Sequence, residues 1–320
     1  MLSHGTLAGD TGLLSWGDWG MAVTTPGLDP STVLNPLRDG LARMILTKVA
    51  GPDPEAERAR VHDTPGPRWF GPDRPIRRVH GDASTFAGGL RGLLLQSLHP
   101  LAMAAVSAHS GYRGDPWGRL QRTSYFLAIT TYGAAQDAEA TVARVRAVHQ
   151  RVHGTTSDGV PYDASDPHLL RWVHVAEVDS FLAAYQRYGP APLDAAERDG
   201  YVEDAAKVAR ALGVVDPPTT EAELREMLAA YRPELRGTPE ARQAARFILL
   251  SAPVPWAARP AYGLLAAAAV EMLPWWTRWP LRLPYLPLTE ATVVRAAGDG
   301  LTRTIRWVLE SPGLNQPDHP

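Results

Sequence analysis

The chain has 320 residues, 45% of them hydrophobic and 21% charged, and no cysteine. That composition excludes a disordered chain, and the missing cysteines exclude disulfides, thiolate metal sites and cysteine nucleophiles together. Thirty-two basic against thirty-four acidic side chains leave a formal charge of −2, so neither nucleic acid nor an anionic membrane is an obvious electrostatic partner.

In chain order, residues 1–20 lack the basic start and continuous apolar core of a secretion signal. We expect residues 1–30 to be a disordered extension, with Met21 as an alternative start, residues 31–312 to form one large helical domain, and 313–320 to be a tail. Leu37, Leu41, Met44, Ile45 and Val49 make a helical stripe that stops at Gly51-Pro52. The next thirty residues, with Pro65, Pro67, Pro72 and Pro75, read as a long surface connection. An apolar helix follows from Ser84 to Ser97, and Pro100 kinks it or starts a second one through Ala108.

Asp115-Pro116 is a helix start, an N-cap acceptor followed by proline, and that helix should run to Tyr132 with Gly133 closing it in the left-handed conformation. Another is expected from Gln136 to His153, closed by Gly154. Asp166-Pro167 repeats the start signal for a helix ending at Tyr188. Further helices are expected at 194–212, 220–231 (with Thr220 and Glu223 as a capping box), 239–250, 257–273 and 289–310. Alternating strand patterns are missing, so the expected fold class is all-α.

The most apolar stretch, Tyr262 to Leu273, is broken by Glu271 and falls short of the roughly 20 residues needed to span a bilayer. A cytoplasmic protein is therefore expected. The run from Trp275 to Tyr285 mixes Trp, Tyr and Arg. It reads as a buried, irregular aromatic connector, or alternatively as an interfacial anchor making peripheral membrane contact.

Polar residues on apolar stripes are the informative ones. His149 shares a helical face with Ala138, Val142, Val145 and Val152, and Arg146 and His153 flank it at i−3 and i+4. A neutral imidazole there, beside a cation, suits an iron porphyrin and its propionates; it equally suits a core histidine bonded to a carbonyl. His174 lies on a stripe with Leu170, Val178 and Phe181, and Glu177 follows at i+3, a weak metal-ligand pattern. Arg119, Arg122 and Thr123 share one face and read either as an anion or oxygen site or as a solvated stripe. His99 and His109 sit at the ends of very apolar helices, which implies burial. Gly88-Gly89 and Gly92 follow no strand, so they make no dinucleotide loop.

The run Gly88-Gly89-Leu90-Arg91-Gly92-Leu93-Leu94-Leu95-Gln96-Ser97-Leu98-His99-Pro100 resembles the mpaB and rubber oxygenase catalytic-domain family. The likeness continues through His109-Ser110-Gly111, Asp115 to Thr123, Arg146-Ala147-Val148-His149, Asp166-Pro167 and Trp172 to Phe181. It implies a globin-like helical core that binds haem b and uses dioxygen on a hydrophobic small molecule, such as an isoprenoid or polyketide. In that family the axial histidine lies in an Arg-x-x-His block, matched here by Arg146 and His149. The distal Arg-x-x-Lys-Thr block is matched by Arg119, Arg122 and Thr123. Arg122 replaces the lysine, and an arginine stays protonated and cannot coordinate iron.

These readings make His149 the expected iron ligand, with Arg146 and His153 beside it on the cofactor. Arg119, Arg122, Thr123 and His174 are the expected catalytic residues. Two rivals are a non-haem metal enzyme built on His99, His109, His174 and Glu177, and a haem- or lipid-carrying protein without turnover. A homo-oligomer is compatible with either reading.

Overall fold

The computed structural model describes residues 30–111 and 113–311; the expected N-terminal extension, Met21 and the tail from 313 lie outside them. The first helices are α1 (Pro30–Ala50), α2 (Pro54–His62), α3 (Pro75–His80), α4 (Thr85–Gln96) and α5 (Pro100–His109), followed by α6 (Pro116–Tyr132) and α7 (Ala135–His149). A two-stranded antiparallel ribbon pairs β1 (His153–Thr155) with β2 (Pro161–Asp163). Then come α8 (Pro167–Tyr188), α9 (Ala195–Leu212), α10 (Glu221–Tyr231) with a 3-10 turn Arg232–Glu234, α11 (Pro239–Leu250), α12 (Arg259–Glu271) and α13 (Trp275–Leu281). α14 (Pro287–Thr289) runs through a π turn at Glu290–Val294 into α15 (Arg295–Leu309). The protein is all-α, as its patterning requires; the small ribbon is the one departure among the described residues.

The two start signals work as read: Asp115 and Asp166 each accept a backbone N–H two or three residues on, with proline at the first turn of the helix they open. Asp53, not read as a start, does the same for α2. The reciprocal capping box belongs to Asp194 and Glu197. At the expected box Thr220 accepts from the Glu223 N–H, but Glu223 turns to Thr219 instead.

Three expectations are corrected. The proline-rich stretch after Gly51 is not a surface connection. Pro54 and Pro75 begin α2 and α3, because proline suits the first helical turn, and Phe70, Ile76 and Val79 enter the core. Gly133 closes α6 in an extended conformation (φ −71°, ψ 170°), not a left-handed one. Glycine is needed because a Cβ there would strike the Ile129 carbonyl and side chain. The stretch Trp275–Tyr285 is neither irregular nor buried throughout: α13 turns Thr277, Arg278 and Leu281 inward and leaves Trp275 69%, Trp279 89% and Tyr285 57% exposed.

α8 is the spine. Its Val178, Phe181 and Tyr185 pack with Phe70, Ile76, Val79, Tyr201 and Val202, while its Trp172 and Ala176 pack with Leu94, Leu95, Leu98, Tyr231 and Leu273. α4 lies close against it because Gly88 and Gly92 carry no side chain. A Cβ on Gly88 would sit 2.8 Å from the Phe181 ring and 3.1 Å from Ala184 Cβ. Two helical glycines cost about 1 kcal/mol each against alanine, a cost offset by tight packing along this seam. Arg91 ties it: the buried guanidinium pairs with Asp179 at 2.7 Å and donates to Ser180 Oγ at 2.6 Å and to the Met272 carbonyl at 3.0 Å. The Gly-Gly-Leu-Arg-Gly block is thus a helix-packing device.

Candidate active site

α8 carries His174 and Glu177, two half-buried ionisable groups with no ionic partner among the described residues. His174 is half-buried, and its Nε2 is enclosed without a hydrogen bond. Burial, with the nearby Arg210 charge, pushes its pKa down to about 4. Glu177, one turn on, is pushed up to about 7 by burial alone. Both keep some accessible surface while dense protein surrounds them. At neutral pH His174 is uncharged, and Glu177 is poised between its neutral and ionised forms.

A polar chain runs beside this pair. Thr131 of α6 contacts His80 Nδ1 at 2.9 Å, and His80 Nε2 lies 3.3 Å from the Tyr201 hydroxyl of α9. Burial lowers His80 to about 3, so it stays neutral. The Tyr201 hydroxyl is raised well above its ordinary value by burial, then by the charges of Glu177, Asp179 and Asp204. This chain escaped sequence reading because His80 lies in the stretch read as surface loop. The available signal was the apolar pair Ile76 and Val79 one turn before it.

His149 is the last residue of α7 and half-buried; its Nδ1 is enclosed and has no hydrogen-bond partner. Burial lowers its pKa, which keeps the ring neutral. The residues expected around it are not gathered there. α7 stops at His149 and not at 153, so His153 falls in β1, exposed and opposite Asp163. Arg146 points outward, donates to the Ala211 carbonyl at 3.3 Å and lines a groove of about 430 Å³ with Trp69, Glu139 and Ala143.

The arginine block on α6 is split. Arg119 is half-buried and donates to Ser110 Oγ at 2.7 Å. Arg122 is exposed and pairs with Asp115 at 3.3 Å, and the exposed Thr123 hydroxyl donates to the Arg119 carbonyl. The four groups of the non-haem alternative are dispersed too. His109 is exposed and meets the Tyr162 hydroxyl at 3.1 Å, whereas His99 is buried and meets Glu234.

The sequence profile described as ER-bound oxygenase mpaB/B'/Rubber oxygenase, catalytic domain, matches residues 77–307, from α3 into α15. The chain belongs to this family. Membership in the mpaB/rubber oxygenase catalytic-domain family makes an oxygenase the class of enzyme to which the fold is related, and it covers every buried polar group described above. Uncharacterized proteins of Mycobacterium bovis and Mycobacterium tuberculosis are each 32% identical over 100 residues, 31% of this chain and 38% of theirs. The match therefore spans well under half the length of those relatives. No solved structure matches the chain.

Proposed function

We propose that the protein is a haem b-dependent oxygenase that uses dioxygen on a hydrophobic small molecule, with His149 as the iron's protein ligand. The observation that carries this reading is the enclosed, neutral imidazole of His149 with a ring nitrogen that nothing else occupies. A neutral imidazole nitrogen is the donor that haem iron takes from a protein, and a buried one without a partner carries an energetic cost that ligation relieves. A donor of this type supports the cofactor reading. His174 also has an unpartnered ring nitrogen, its Nε2, and is the reserve ligand. When bound, the haem supplies the oxygen chemistry.

The remaining steps belong to the chain's own residues. Of the oxygen-side candidates Arg119, Arg122 and Thr123, Arg119 is the half-buried one that could act from the interior, while Arg122 and Thr123 are exposed. A guanidinium stabilises negative charge developing on a reacting oxygen to the extent that water is shut out. Glu177 holds a proton up to about pH 7 and can release it at its carboxyl oxygen, the range in which general acid–base groups work best. Arg146 and His153, displayed on the surface near α7, would meet only the outer edge of a cofactor.

A greasy substrate needs a route in. No helix among the described residues is long and apolar enough to cross a membrane, so the peripheral reading rests on α13. Trp275, Trp279 and Arg282, at i, i+4 and i+7, all face outward. Between Phe247 and Val294 the exposed charges are Arg259 and Arg282, while Glu271 and Glu290 turn inward to pair with Arg187 and Arg278. An aromatic face carrying only positive charge is complementary to an anionic lipid surface.

The test of the cofactor reading is reconstitution of the full chain with haem. Wild type should give a stoichiometric Soret band that His149→Ala shifts or abolishes and His174→Ala leaves in place. A Soret spectrum unchanged in His149→Ala would reject the ligand assignment.

A further inference from the structure

We propose that His99, His168 and Glu234 form a second, independent site, one for a divalent transition-metal ion of the zinc type. The three residues come from distant parts of the chain. His99 caps the start of α5, His168 sits in the first turn of α8, and Glu234 ends the 3-10 turn after α10. Folding nevertheless brings one ligand atom from each within 4.8 Å of the others. His168 Nε2 lies 2.8 Å and His99 Nε2 3.3 Å from the same carboxylate oxygen of Glu234.

The donor set is two imidazoles and one carboxylate, the composition of three-ligand zinc sites that keep a fourth position for water. Zinc holds nitrogen and oxygen ligands at about 2.0–2.2 Å, which puts neighbouring ligands of a tetrahedron about 3.4 Å apart. The His99–Glu234 spacing of 3.3 Å matches that, and the His168–Glu234 spacing of 2.8 Å is a hydrogen-bond distance about 0.6 Å shorter, which the partly exposed Glu234 carboxylate can open by turning. His168 and Glu234 are about half exposed, at 48% and 42% of their side chains, so an ion has a path in and an open side for water. His99 closes the opposite side at 4%.

The shell behind the ligands points the same way. The Tyr231 hydroxyl donates its proton to the His168 carbonyl at 2.8 Å, leaving its lone pair 3.4 Å from His168 Nδ1. That lone pair can accept an Nδ1–H, the tautomer that frees Nε2 for metal. Trp172 and Tyr231 wall the site, with ring centroids 6.1 and 6.5 Å from that of His99.

None of these residues belongs to the haem reading, so the site stands or falls separately. An ion here would staple the starts of α5 and α8 to the end of α10, adding to stability through its preference for the folded chain.

The experiment uses the full chain stripped with chelator and dialysed against zinc chloride, with bound metal counted by atomic emission. Wild type is expected to retain one zinc per chain and to melt several degrees higher with zinc than without. Glu234→Gln and His168→Gln, both at partly exposed positions, should fold with a wild-type far-ultraviolet spectrum yet lose the bound zinc and the rise in Tm. Cobalt in place of zinc should give visible absorption in wild type only. Substoichiometric zinc in wild type, or equal zinc in both variants, would overturn the proposal and leave a histidine–carboxylate hydrogen-bond cluster.

Discussion

Glu177→Gln tests whether a carboxyl really sits unpaired inside the fold. Burial lifts Glu177 from its ordinary 4.5 to about 7. An acid raised on folding binds its proton more tightly in the native chain. As pH climbs above 4.5 the unfolded state gives up this proton first, and native stability falls until about pH 7, then levels off. The full penalty corresponds to about 3 kcal/mol, of which roughly 2–3 kcal/mol develops between pH 5 and pH 8. Glutamine keeps the shape and removes the titration. Urea unfolding of wild type and variant at pH 5 and pH 8 reads the effect. His174, lowered to about 4, loses stability as pH falls below 6.5, but it does so in both proteins and cancels in the difference. The variant should be close to wild type at pH 5 and more stable at pH 8 by about 2 kcal/mol. A stability difference that is the same at both pH values would refute the buried, unpaired placement.

Two further outcomes follow from the geometry. Glu290→Ala strands the Arg278 guanidinium, which is buried and keeps the Glu271 and Pro284 carbonyls and the face of the Tyr285 ring but no other carboxylate among the described residues. The expected loss is about 3–5 kcal/mol in urea unfolding, and a loss under about 1 kcal/mol would show that the pair is not enclosed. Replacing Trp275 and Trp279 together by serine should weaken co-sedimentation with vesicles of phosphatidylcholine and phosphatidylglycerol by at least tenfold, about 1.4 kcal/mol. Vesicle binding indifferent to both tryptophans would remove α13 as the contact face.

Much of the architecture was legible because its signals are local. Asp115-Pro116 and Asp166-Pro167 start helices wherever they stand, since an N-cap acceptor and a preset φ need no tertiary partner. His149 and His174 were legible as inward-facing polar residues for a related reason: the 3.6-residue period reports which face is buried. What failed was non-local. Nothing in the Pro54–Pro75 stretch announces that Phe70 and Ile76 will be covered by α9, because proline marks helix starts as readily as loops. The His153 position depended on where α7 ends, and helix ends are the least certain part of any periodic pattern. The His99–His168–Glu234 cluster joins residues 66 to 135 positions apart, and no spacing rule reaches that far.

The placement of acids on α8 argues that its interior is kept polar for use. Glu177 and Asp179 are two residues apart, so the helix turns them about 200° from each other. Asp179 meets Arg91 across the glycine seam with α4 and is answered there. Beyond burial, the charges of Glu177, Asp179 and Asp204 all push the Tyr201 hydroxyl up, Glu177 most, yet among the described residues no cation pairs with Glu177. A packing role would be filled better by leucine or methionine, which cost no desolvation. A half-buried acid pushed up to about 7, a neutral imidazole one turn before it and a His80–Tyr201–Thr131 chain beside it are what we propose as a proton-handling interior. Perturbed ionisable groups of this kind cluster at functional sites. Within an oxygenase family, an interior able to hold and release a proton has a use that apolar packing lacks. If Glu177→Gln gained stability at pH 8 and kept full turnover, the carboxyl would be a passive guest and this reasoning would fail.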